Sequence, residues 1–401
     1  MSRRILFVEM AHGFGGSIVS LYQLVRGLDR SRYEPVVLFY RPNAYVAQFE
    51  ALDVKVIVLH PDTGEPALPS ASQSASGGRK EEAGRLRTKI SSAYSLARQV
   101  VPGTVRLLRV IRREQIDLVH LNDVFISNRE GVVAARLAGV PCLSHIRAFE
   151  RLTRFDRWLT RYVDAYVYIS QAIARSHEEQ GMPVDRGRVI YNALAPEEFD
   201  AAADRAGARA ELGLDASQQV VGLIGRLVAW KGHRVFLSAM ASLAQGHPNL
   251  RGLIVGDGEM TEPAYQHELE MQAAELGLSE RVVFTGYRAG IPALLPALDV
   301  LVHCSLRPEP FGRVIIEGMA AGVPVVGAAD GAVPEIIEDG RSGLLTPPGD
   351  AGALASAIQR LLDDHSLADA VRHAARQRVC ELFSVDAHVQ QIQAVYQELL
   401  G

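Results

Sequence analysis

Glu309 and Glu317 lie eight positions apart in the segment Glu309-Pro-Phe-Gly-Arg-Val-Ile-Ile-Glu317, which joins an apolar strand pattern to an apolar helix pattern. Free backbone N–H groups at a helix N-terminus bind anions, and here they lie near Phe311–Val314. A carboxylate on either side of such a site can accept hydrogen bonds from hydroxyl groups. The spacing therefore predicts a site for a ligand that carries phosphate and two sets of hydroxyls, one on a sugar and one on a ribose.

The elements around this segment have their own signals. The run Val300–His303 predicts a buried strand, and the pattern over Arg313–Ala321 predicts a helix with a proline near its start and a glycine after its end. A plainer interpretation is that Glu309 only caps the helix and Glu317 faces solvent. Against it, Glu317 lies in an otherwise apolar stretch, where a carboxylate needs a polar partner.

Two cations follow another predicted strand, in the segment Gly222-Leu-Ile-Gly-Arg226-Leu-Val-Ala-Trp-Lys231-Gly. Ligands of open α/β sheets bind at the carboxyl ends of strands. Arg226 suits a diphosphate through its planar fork, and Lys231 suits it as a point charge. We expect them to neutralise the charge that grows on a departing diphosphate, although the same two residues elsewhere would be ordinary surface cations.

The loop His12-Gly-Phe-Gly-Gly-Ser17 follows the first predicted strand and leads into a helix. Gly15 and Gly16 would let a phosphate approach the backbone there. The pattern is shorter than G-x-G-x-x-G, and the second strand ends at Phe39-Tyr40-Arg41 without the acidic residue that a nicotinamide dehydrogenase uses for its ribose. A plain glycine turn is the alternative.

His145 ends the predicted strand Cys142–His145, with Arg147 and Glu150 behind it. A histidine at that position can orient a hydroxyl or handle a proton. His120, at the end of the preceding strand, is a poorer candidate of the same kind. A single histidine at a strand end is more often structural.

Two motifs are missing from the sequence. No D-x-D occurs, so the usual carboxylate pair for a divalent metal on a nucleotide diphosphate is absent, and no G-x-x-x-x-G-K-[ST] occurs. The sequence predicts that no metal cofactor is required, with Arg226, Lys231 and helix dipoles supplying the positive charge.

Short apolar, β-branched runs alternate with segments of helical period along most of the chain, which predicts parallel sheets covered on both faces. The predicted strands are Ile5–Glu9, Val36–Tyr40, Val54–Leu59, Leu118–Leu121, Cys142–His145, Ala165–Ile169, Val189–Asn192, Val220–Leu223, Gly252–Val255, Val282–Thr285, Val300–His303, Val325–Gly327 and Gly343–Leu345. The fold class is therefore α/β, with two doubly wound, Rossmann-like domains.

The predicted domains are 1–194, with an insertion over about 62–84, and 195–382. The insertion is predicted to be mobile because it is rich in Ser, Ala, Gly and Pro. The segment 383–401 forms a final helix with no strand after it. That helix could pack on the second domain or cross back to the first.

The 401 residues carry a formal net charge of −4, which gives no general attraction to nucleic acid. Three scattered cysteines argue against a disulfide framework and a zinc site. The N-terminus predicts a buried strand rather than a signal peptide, and no apolar run has the length of a membrane span. We expect a cytoplasmic protein, with peripheral attachment to the inner face of the membrane left open.

The segment 79–113 has ten basic residues and two acidic ones. One interpretation is a solvated helix pair under the sheet. The other is a surface for an anionic membrane or an anionic acceptor.

The glutamates spaced as E-P-F-G-x-x-x-x-E, followed by G-M-A-A-G-V-P-V-V, resemble glycosyltransferase family 4, whose members are retaining enzymes of the GT-B architecture. Further matches in the family's order are G-R-L-x-x-x-K-G from 225, Val255-Gly-Asp-Gly258, Phe284-Thr-Gly286, Val333–Ile337 and Gly343-Leu-Leu. Ala328–Pro334 departs from the family pattern, because it lacks the usual glycine pair. The resemblance covers nearly the whole chain and implies two domains that face a cleft.

The resemblance also implies roles. Glu309 contacts the transferred sugar, Glu317 holds the ribose, and Arg226 and Lys231 bind the diphosphate, with Gly16 close to it. Tyr287 and Arg288 border the base, and His145 helps to position the sugar.

The implied activity is metal-independent, retaining transfer of a hexosyl unit from a nucleotide-diphosphate sugar, UDP- or GDP-linked, to a lipid-linked or saccharide hydroxyl. Bacterial cell-surface polysaccharide or glycolipid synthesis is the expected setting. Two alternatives stay open: a nucleotide-sugar epimerase of the same architecture, and a non-catalytic nucleotide-sugar-binding protein.

Overall fold

A computed structural model describes residues 2–10, 15–60, 100–201, 204–258, 262 and 264–401. The predicted mobile insertion over 62–84 and the part of the basic segment over 79–99 lie outside these residues. The chain divides into two compact units. Unit 1 is Met1–Ile190 with His388–Gly401, and unit 2 is Tyr191–Ala387.

Unit 1 is built on a parallel sheet of seven strands. The strands are β1 Arg3–Glu9, β2 Tyr33–Phe39, β3 Lys55–Val58, β4 Leu118–Asn122, β5 Cys142–Ile146, β6 Ala165–Tyr168 and β7 Gly187–Val189, and the helices are α1 Gly16–Gly27, α2 Val46–Glu50, α3 over 100–113, α4 Arg129–Ala138, α5 Arg154–Leu159 and α6 Gln171–Glu178. The strand order is β3-β2-β1-β4-β5-β6-β7. Every residue of β4 and β5 is buried, as expected for strands covered on both faces.

Unit 2 is built on a parallel sheet of six strands in the order β10-β9-β8-β11-β12-β13. The strands are β8 Gln219–Ile224, β9 Leu250–Val255, β10 Val282–Phe284, β11 Val300–His303, β12 Val325–Ala328 and β13 Leu344–Thr346, and the helices are α7 Pro196–Ala201, α8 Arg205–Glu211, α9 His233–Leu243, α10 Tyr265–Glu275, α11 Ile291–Leu294, α12 Arg313–Ala320, α13 Val333–Ile336, α14 Ala351–Asp363 and α15 His365–Leu382. The last helix, α16 Val385–Leu400, begins in unit 2 and lies mostly in unit 1. Two parallel, Rossmann-like sheets confirm the predicted α/β fold class.

The direction of the strand order reverses between β1 and β4 in unit 1, and between β8 and β11 in unit 2. Open α/β sheets bind ligands outside the carboxyl ends of the strands at such reversals. The loops after β8 and β11 carry Lys231 and Glu309, and the loops after β1 and β5 carry Gly15 and Arg147. The topology thus brings the sequence-predicted residues to one edge within each unit.

Helix α16 returns the chain to unit 1. Its Tyr396 is fully buried and packs edge-on against Tyr33, and the side chain of Gln393 accepts a hydrogen bond from the backbone N–H of Asp29. Of the two placements left open for the last helix, the structure has the one that crosses back to the first domain.

One strand ends earlier than the sequence pattern predicts. The apolar run Val189–Asn192 was expected to be a strand, whereas β7 ends at Val189. Tyr191 instead packs against Phe311 and Phe383 in unit 2. Tyr191 is half-buried, and the contacts that cover it are with these two rings rather than with the sheet.

Arg209 anchors the short helix α8 of unit 2 beside the sheet. Its guanidinium donates to the backbone carbonyls of Asp215, Ala216, Gln218 and Ala297 and to the carboxylate of Asp299. The side chain is almost completely buried. Nε and Nη2 each donate to one acceptor, and the two N–H groups of Nη1 are shared among three carbonyls; the single ammonium group of a Lys side chain cannot reproduce this planar arrangement.

We expect Arg209→Lys to lower the free energy of unfolding by about 2–4 kcal/mol, because several buried carbonyls lose their donors. Arg205→Lys is the matched control, since Arg205 bonds the other carboxylate oxygen of Asp299 but is half exposed, and about 1 kcal/mol or less is expected. Urea unfolding followed by circular dichroism measures both variants. Equal losses would contradict this account of Arg209.

Candidate functional site

The loops after β8 and β11 approach each other through a glycine. Gly232 has φ +79°, and a Cβ atom there would lie 1.9 Å from the carbonyl oxygen of Cys304. The backbone N–H of Leu306 donates to the carbonyl of Trp230 at 2.7 Å. Any larger residue at 232 would push the loops apart, so this contact sets the position of Lys231 relative to the loop after β11.

Lys231 and Glu309 form an ion pair in this contact. One carboxylate oxygen of Glu309, Oε2, accepts from Lys231 Nζ at 2.7 Å, from Ser305 Oγ at 3.0 Å and from His303 Nε2 at 3.0 Å. The other oxygen, Oε1, has no hydrogen bond from the described residues. Three donors thus fix the carboxylate by one oxygen and leave the second available to a ligand.

The charge state of Glu309 follows from these contacts. Burial alone would raise the pKa of this carboxyl, but the hydrogen bond from His303 and the charge of Lys231 hold its pKa well below the ordinary value. The group is therefore an ionised, acceptor-only carboxylate at neutral pH.

The backbone of Glu309 is held by the loop after β12. Gly331 has φ +59°, and a Cβ atom there would lie 2.4 Å from the N and O atoms of Glu309. The N–H of Ala332 donates to the carbonyl of Glu309 at 2.9 Å. This loop departs from the family's glycine pair, and the structure shows that Gly331 is the glycine that the close approach needs.

Helix α12 begins at Arg313, as predicted, after Gly312 in the left-handed conformation at φ +94°. The side chain of Phe311 is buried against Tyr191 and Phe383. Only the backbone of Phe311 is therefore offered to a ligand here, together with the N–H groups of Gly312, Arg313 and Val314 at the start of the helix.

Glu317 has the polar partner that its apolar surroundings require. Its Oε1 lies 3.5 Å from Arg313 Nη2, one helical turn earlier, and both side chains are about four-fifths buried, with 20% and 15% exposed. Arg313 also donates to the carbonyl of Ala193 at 3.2 Å. Glu317 therefore does not lie fully in solvent, and the N-cap of α12 is Gly312 without a side-chain cap, so Glu309 does not cap the helix.

The side chain of Arg226 is exposed, and its guanidinium makes no hydrogen bond or ion pair within the described part of the chain. The Nζ atom of Lys231, by contrast, lies 4.3 Å from the centre of the Trp230 ring, a cation–π contact that adds to its ion pair. Tyr287 has an exposed side chain, and Arg288 pairs with Glu211 at 3.2 Å.

Gly15 and Gly16 open helix α1 in unit 1. Gly15 is the N-cap with extended backbone at φ −163°, and a Cβ atom there would meet nothing within 4 Å. The carbonyl of Gly16 accepts from the Ser20 hydroxyl. The described backbone does not itself demand a glycine at 15, and residues 11–14 of the loop lie outside the described ranges.

His145 is completely buried and lies one residue before the end of β5, which runs to Ile146 rather than ending at His145 as predicted. Its Nδ1 lies 3.3 Å from His120 Nε2 and 3.3 Å from Arg147 Nη2, and its ring stacks on those of His120 and His388. Burial, then Arg147, lowers the pKa of His145 well below its ordinary value. The imidazole is neutral at physiological pH.

Sequence reasoning gave no role to His303 or Ser305, although both stand just before the glutamate motif and end or follow β11. It also missed Tyr396, whose hydroxyl lies 2.6 Å from His120 Nδ1. His303 could have been found from the sequence, because it is a polar residue at the end of a predicted buried strand. Tyr396 had none, because 276 residues separate it from His120.

In the described ranges, no three His, Cys, Asp or Glu side chains group as metal ligands. No helix among the same residues is long and apolar enough to span a membrane.

Comparison with known proteins places this chain in a family. The sequence profile described as Glycosyltransferase Family 4 matches residues 14–198, and the one described as Glycosyl transferases group 1 matches residues 204–378. The D-inositol 3-phosphate glycosyltransferase of Corynebacterium glutamicum is 33% identical, over 77% of this chain and 79% of that protein. The chain belongs to glycosyltransferase family 4.

Two further proteins are similar. The lipopolysaccharide core biosynthesis mannosyltransferase LpsB of Rhizobium meliloti is 30% identical over 62% of this chain and 70% of its own. The crystal structure of HepE from Anabaena in complex with UDP and glucose has a TM-score of 0.79 and 28% identity, covering 98% of this chain and 99% of HepE. The likeness confirms the predicted GT-B fold class.

The lowered pKa of Glu309 predicts a pH dependence. Because its pKa in the folded protein lies below the ordinary 4.5, ionised Glu309 contributes stability above pH 4.5 that is lost as the pH falls toward the folded value. The difference in free energy of unfolding between the wild type and Glu309→Gln should thus be largest near neutral pH and shrink below 4.5.

Chemical unfolding at a series of pH values measures this difference. Glu268→Gln is the control, because Glu268 makes an exposed ion pair with Arg234 and a small difference is expected throughout. A Glu309 difference that stays constant down to acid pH would contradict the ion pair.

Proposed function

We propose that this protein is a retaining, metal-independent hexosyltransferase that uses a nucleotide-diphosphate sugar. The observation that carries the proposal is the Glu309 carboxylate, fixed through Oε2 by Lys231, His303 and Ser305, with Oε1 left for a ligand. In this proposal Oε1 accepts a hydroxyl of the transferred sugar.

The contacts proposed for the other parts of the donor involve the residues around Glu309. Arg226, which has no partner within the described chain, and Lys231 bind the diphosphate, together with the N–H groups at the start of α12. Glu317 takes the ribose hydroxyls. Tyr287 and Arg288, which follow β10, border the base.

The proposal also gives roles to residues of unit 1. Gly15 and Gly16 open α1, where backbone N–H groups are available to the diphosphate. His145 orients a hydroxyl of the sugar.

The proposed reaction breaks the bond between the anomeric carbon and the diphosphate oxygen and forms a bond from that carbon to the acceptor oxygen on the same face. The proton of the acceptor hydroxyl passes to the departing diphosphate oxygen. Arg226 and Lys231 stabilise the charge that grows on this leaving group, the role that a metal serves in other transferases.

The donor is proposed to be UDP- or GDP-linked. UDP is supported by the complex of HepE with UDP and glucose, because HepE is similar over nearly the whole chain. The name of LpsB supports a second possibility, a mannosyl unit.

We propose a lipid-linked or saccharide acceptor in bacterial cell-surface polysaccharide or glycolipid synthesis, with the enzyme cytoplasmic and peripheral at the inner face of the membrane. The name of LpsB, which refers to lipopolysaccharide core biosynthesis, supports this setting. Arg109, Arg112 and Arg113 on α3 are exposed and give the described end of segment 79–113 its positive charge.

Two rival functions make different predictions. An epimerase of the same architecture would convert a nucleotide sugar without any acceptor. A non-catalytic binding protein would bind the nucleotide sugar tightly and transfer it to no acceptor.

The first test is donor use. UDP-, GDP- and ADP-sugars are screened for thermal stabilisation of the full chain, and turnover of the stabilising donor is measured with acceptor extracts, with and without a chelator. We expect turnover that the chelator leaves unchanged, and a product with the anomeric configuration of the donor by proton NMR. Conversion without acceptor would identify an epimerase.

Variants then assign the site. Lys231→Ala and Glu309→Ala should each lower turnover about 100-fold or more, since each removes charge stabilisation at the reacting groups. Arg226→Ala should raise the donor KM, and Arg234→Ala is its control because Arg234 is exposed and pairs with Glu268 on the helices. Unchanged turnover in Lys231→Ala or Glu309→Ala would contradict the assignment.

The second test is membrane attachment. The full chain should co-sediment with liposomes containing anionic lipid at low salt and be released as salt rises. Replacing Arg109, Arg112 and Arg113 with Gln should weaken binding several-fold. The control replaces Arg234, Arg341 and Arg372 with Gln, which removes the same charge from exposed positions in unit 2. Equal binding of both triple variants would contradict the role of α3, and absence of sedimentation would contradict membrane attachment.

A further inference from the structure

Three buried side chains in unit 1 form a hydrogen-bonded row that ends on His145. The hydroxyl of Tyr396, on α16, lies 2.6 Å from His120 Nδ1, and His120 Nε2 lies 3.3 Å from His145 Nδ1. All three are completely buried. The row connects the last helix of the chain to His120, in the middle of β4, and to His145, one residue before the end of β5.

Arg147 fixes the direction of this row. Its Nη2 lies 3.3 Å from His145 Nδ1, and every guanidinium nitrogen carries hydrogen and can only donate. His145 Nδ1 must therefore be an acceptor without a proton. A neutral imidazole has one N–H, so the proton of His145 is on Nε2.

The same reasoning passes to the next residues. Because His145 Nδ1 accepts, His120 Nε2 must carry the proton that it donates. Burial lowers the pKa of His120 well below its ordinary value, so this ring is neutral as well and its Nδ1 is an acceptor. The Tyr396 hydroxyl therefore donates to His120 Nδ1.

Arg147 is itself held by the neighbouring strand. Its Nε and Nη2 donate to the side-chain oxygen of Asn122, at 2.9 and 2.7 Å. Asn122 is the last residue of β4 and is buried, so the guanidinium cannot turn away from His145.

One N–H group at the end of this row has no partner in the described part of the chain. His145 Nε2 is buried and has no hydrogen-bond partner within the described residues. A buried N–H without a partner costs about 1–3 kcal/mol, which a ligand oxygen would recover. This is the atom of His145 that a substrate can use.

We propose that Tyr396 and His120 are positioning residues that, with Arg147, hold His145 as an Nε2–H donor to a hydroxyl or other oxygen of the sugar substrate. This inference rests on the proposed function for the identity of the ligand. It excludes His145 as a general base, because the nitrogen left to the ligand already carries its proton. It also gives the final helix a part in the site, through a residue that touches no ligand.

The protonation pattern can be read without substrate. In the full chain labelled with ring-15N histidine, ring nitrogen shifts distinguish protonated from unprotonated atoms, and His145→Gln and His120→Gln identify the two signals. We expect His145 to show protonated Nε2 and unprotonated Nδ1, and His120 to show the same pattern. A protonated Nδ1 on His145 would overturn the proposal.

Tyr396→Phe tests the positioning role, and Tyr166→Phe is its matched control. Tyr166 is equally buried in unit 1 and donates to the carbonyl of Thr160, also at 2.6 Å, away from the row. Both variants should lose similar thermal stability. Only Tyr396→Phe should shift the His120 ring signals and lower kcat/KM for the donor, by up to about tenfold, the worth of one buried hydrogen bond.

The outcomes separate this inference from the proposed function. Equal loss of kcat/KM in the two variants, or unchanged His120 signals in Tyr396→Phe, would reduce Tyr396 to a structural role and overturn the positioning claim. If the wild type shows the expected protonation pattern but turns over no nucleotide sugar, the proposed function fails while the pattern stands, and the assignment of a sugar as the ligand fails with it.

Discussion

A carboxylate and an ammonium group lie 2.7 Å apart between two loops of unit 2, although 78 residues separate Lys231 from Glu309 in the chain. Removing such charges from water costs several kcal/mol per ion unless the geometry and further hydrogen bonds compensate. His303 and Ser305 supply those further bonds, and Gly232 permits the loops to meet. The backbone geometry at this edge of the sheet thus helps to offset the desolvation cost of this ion pair.

Each unit has a side chain that is held through one polar atom and leaves a second polar atom without a partner among the described residues. In unit 2, Oε2 of Glu309 is occupied by protein donors while Oε1 is left over. In unit 1, Nδ1 of His145 is occupied by His120 and Arg147 while Nε2 is left over. In each case the protein fixes a side chain through one atom and leaves a second atom of opposite hydrogen-bonding character, an acceptor in one unit and a donor in the other.

Charge is distributed unevenly around the proposed diphosphate site. Lys231 is committed to Glu309 and to the face of Trp230, whereas Arg226 is exposed and has no partner among the described residues. Ligand binding therefore changes the contacts of the two cations differently. Arg226 loses only water, while Lys231 keeps a carboxylate neighbour whose negative charge has already been stabilised by two other donors. This difference explains why replacing Arg226 is expected to raise the donor KM, whereas replacing Lys231 is expected to lower turnover.

The order of apolar strands and helices, the glutamate spacing and the strand-end cations are local in the sequence, and hydrophobic periodicity and cap residues suffice to predict them. For the same reason the fold class and the start of α12 at Arg313 were predicted, whereas Tyr191 was not, because the contacts that cover it are with two distant rings rather than with the sheet. Contacts between distant residues depended on the tertiary structure.

The sequence by itself determined the fold class and which strands carry polar side chains at or near their carboxyl ends. Only the tertiary structure decided which oxygen of Glu309 is free, that Glu317 is paired with Arg313, and that Tyr396 reaches His120. The physical reason is that a hydrogen bond depends on distances of a few tenths of an ångström, and these are set by close packing between segments far apart in the chain, where sequence periodicity has no counterpart.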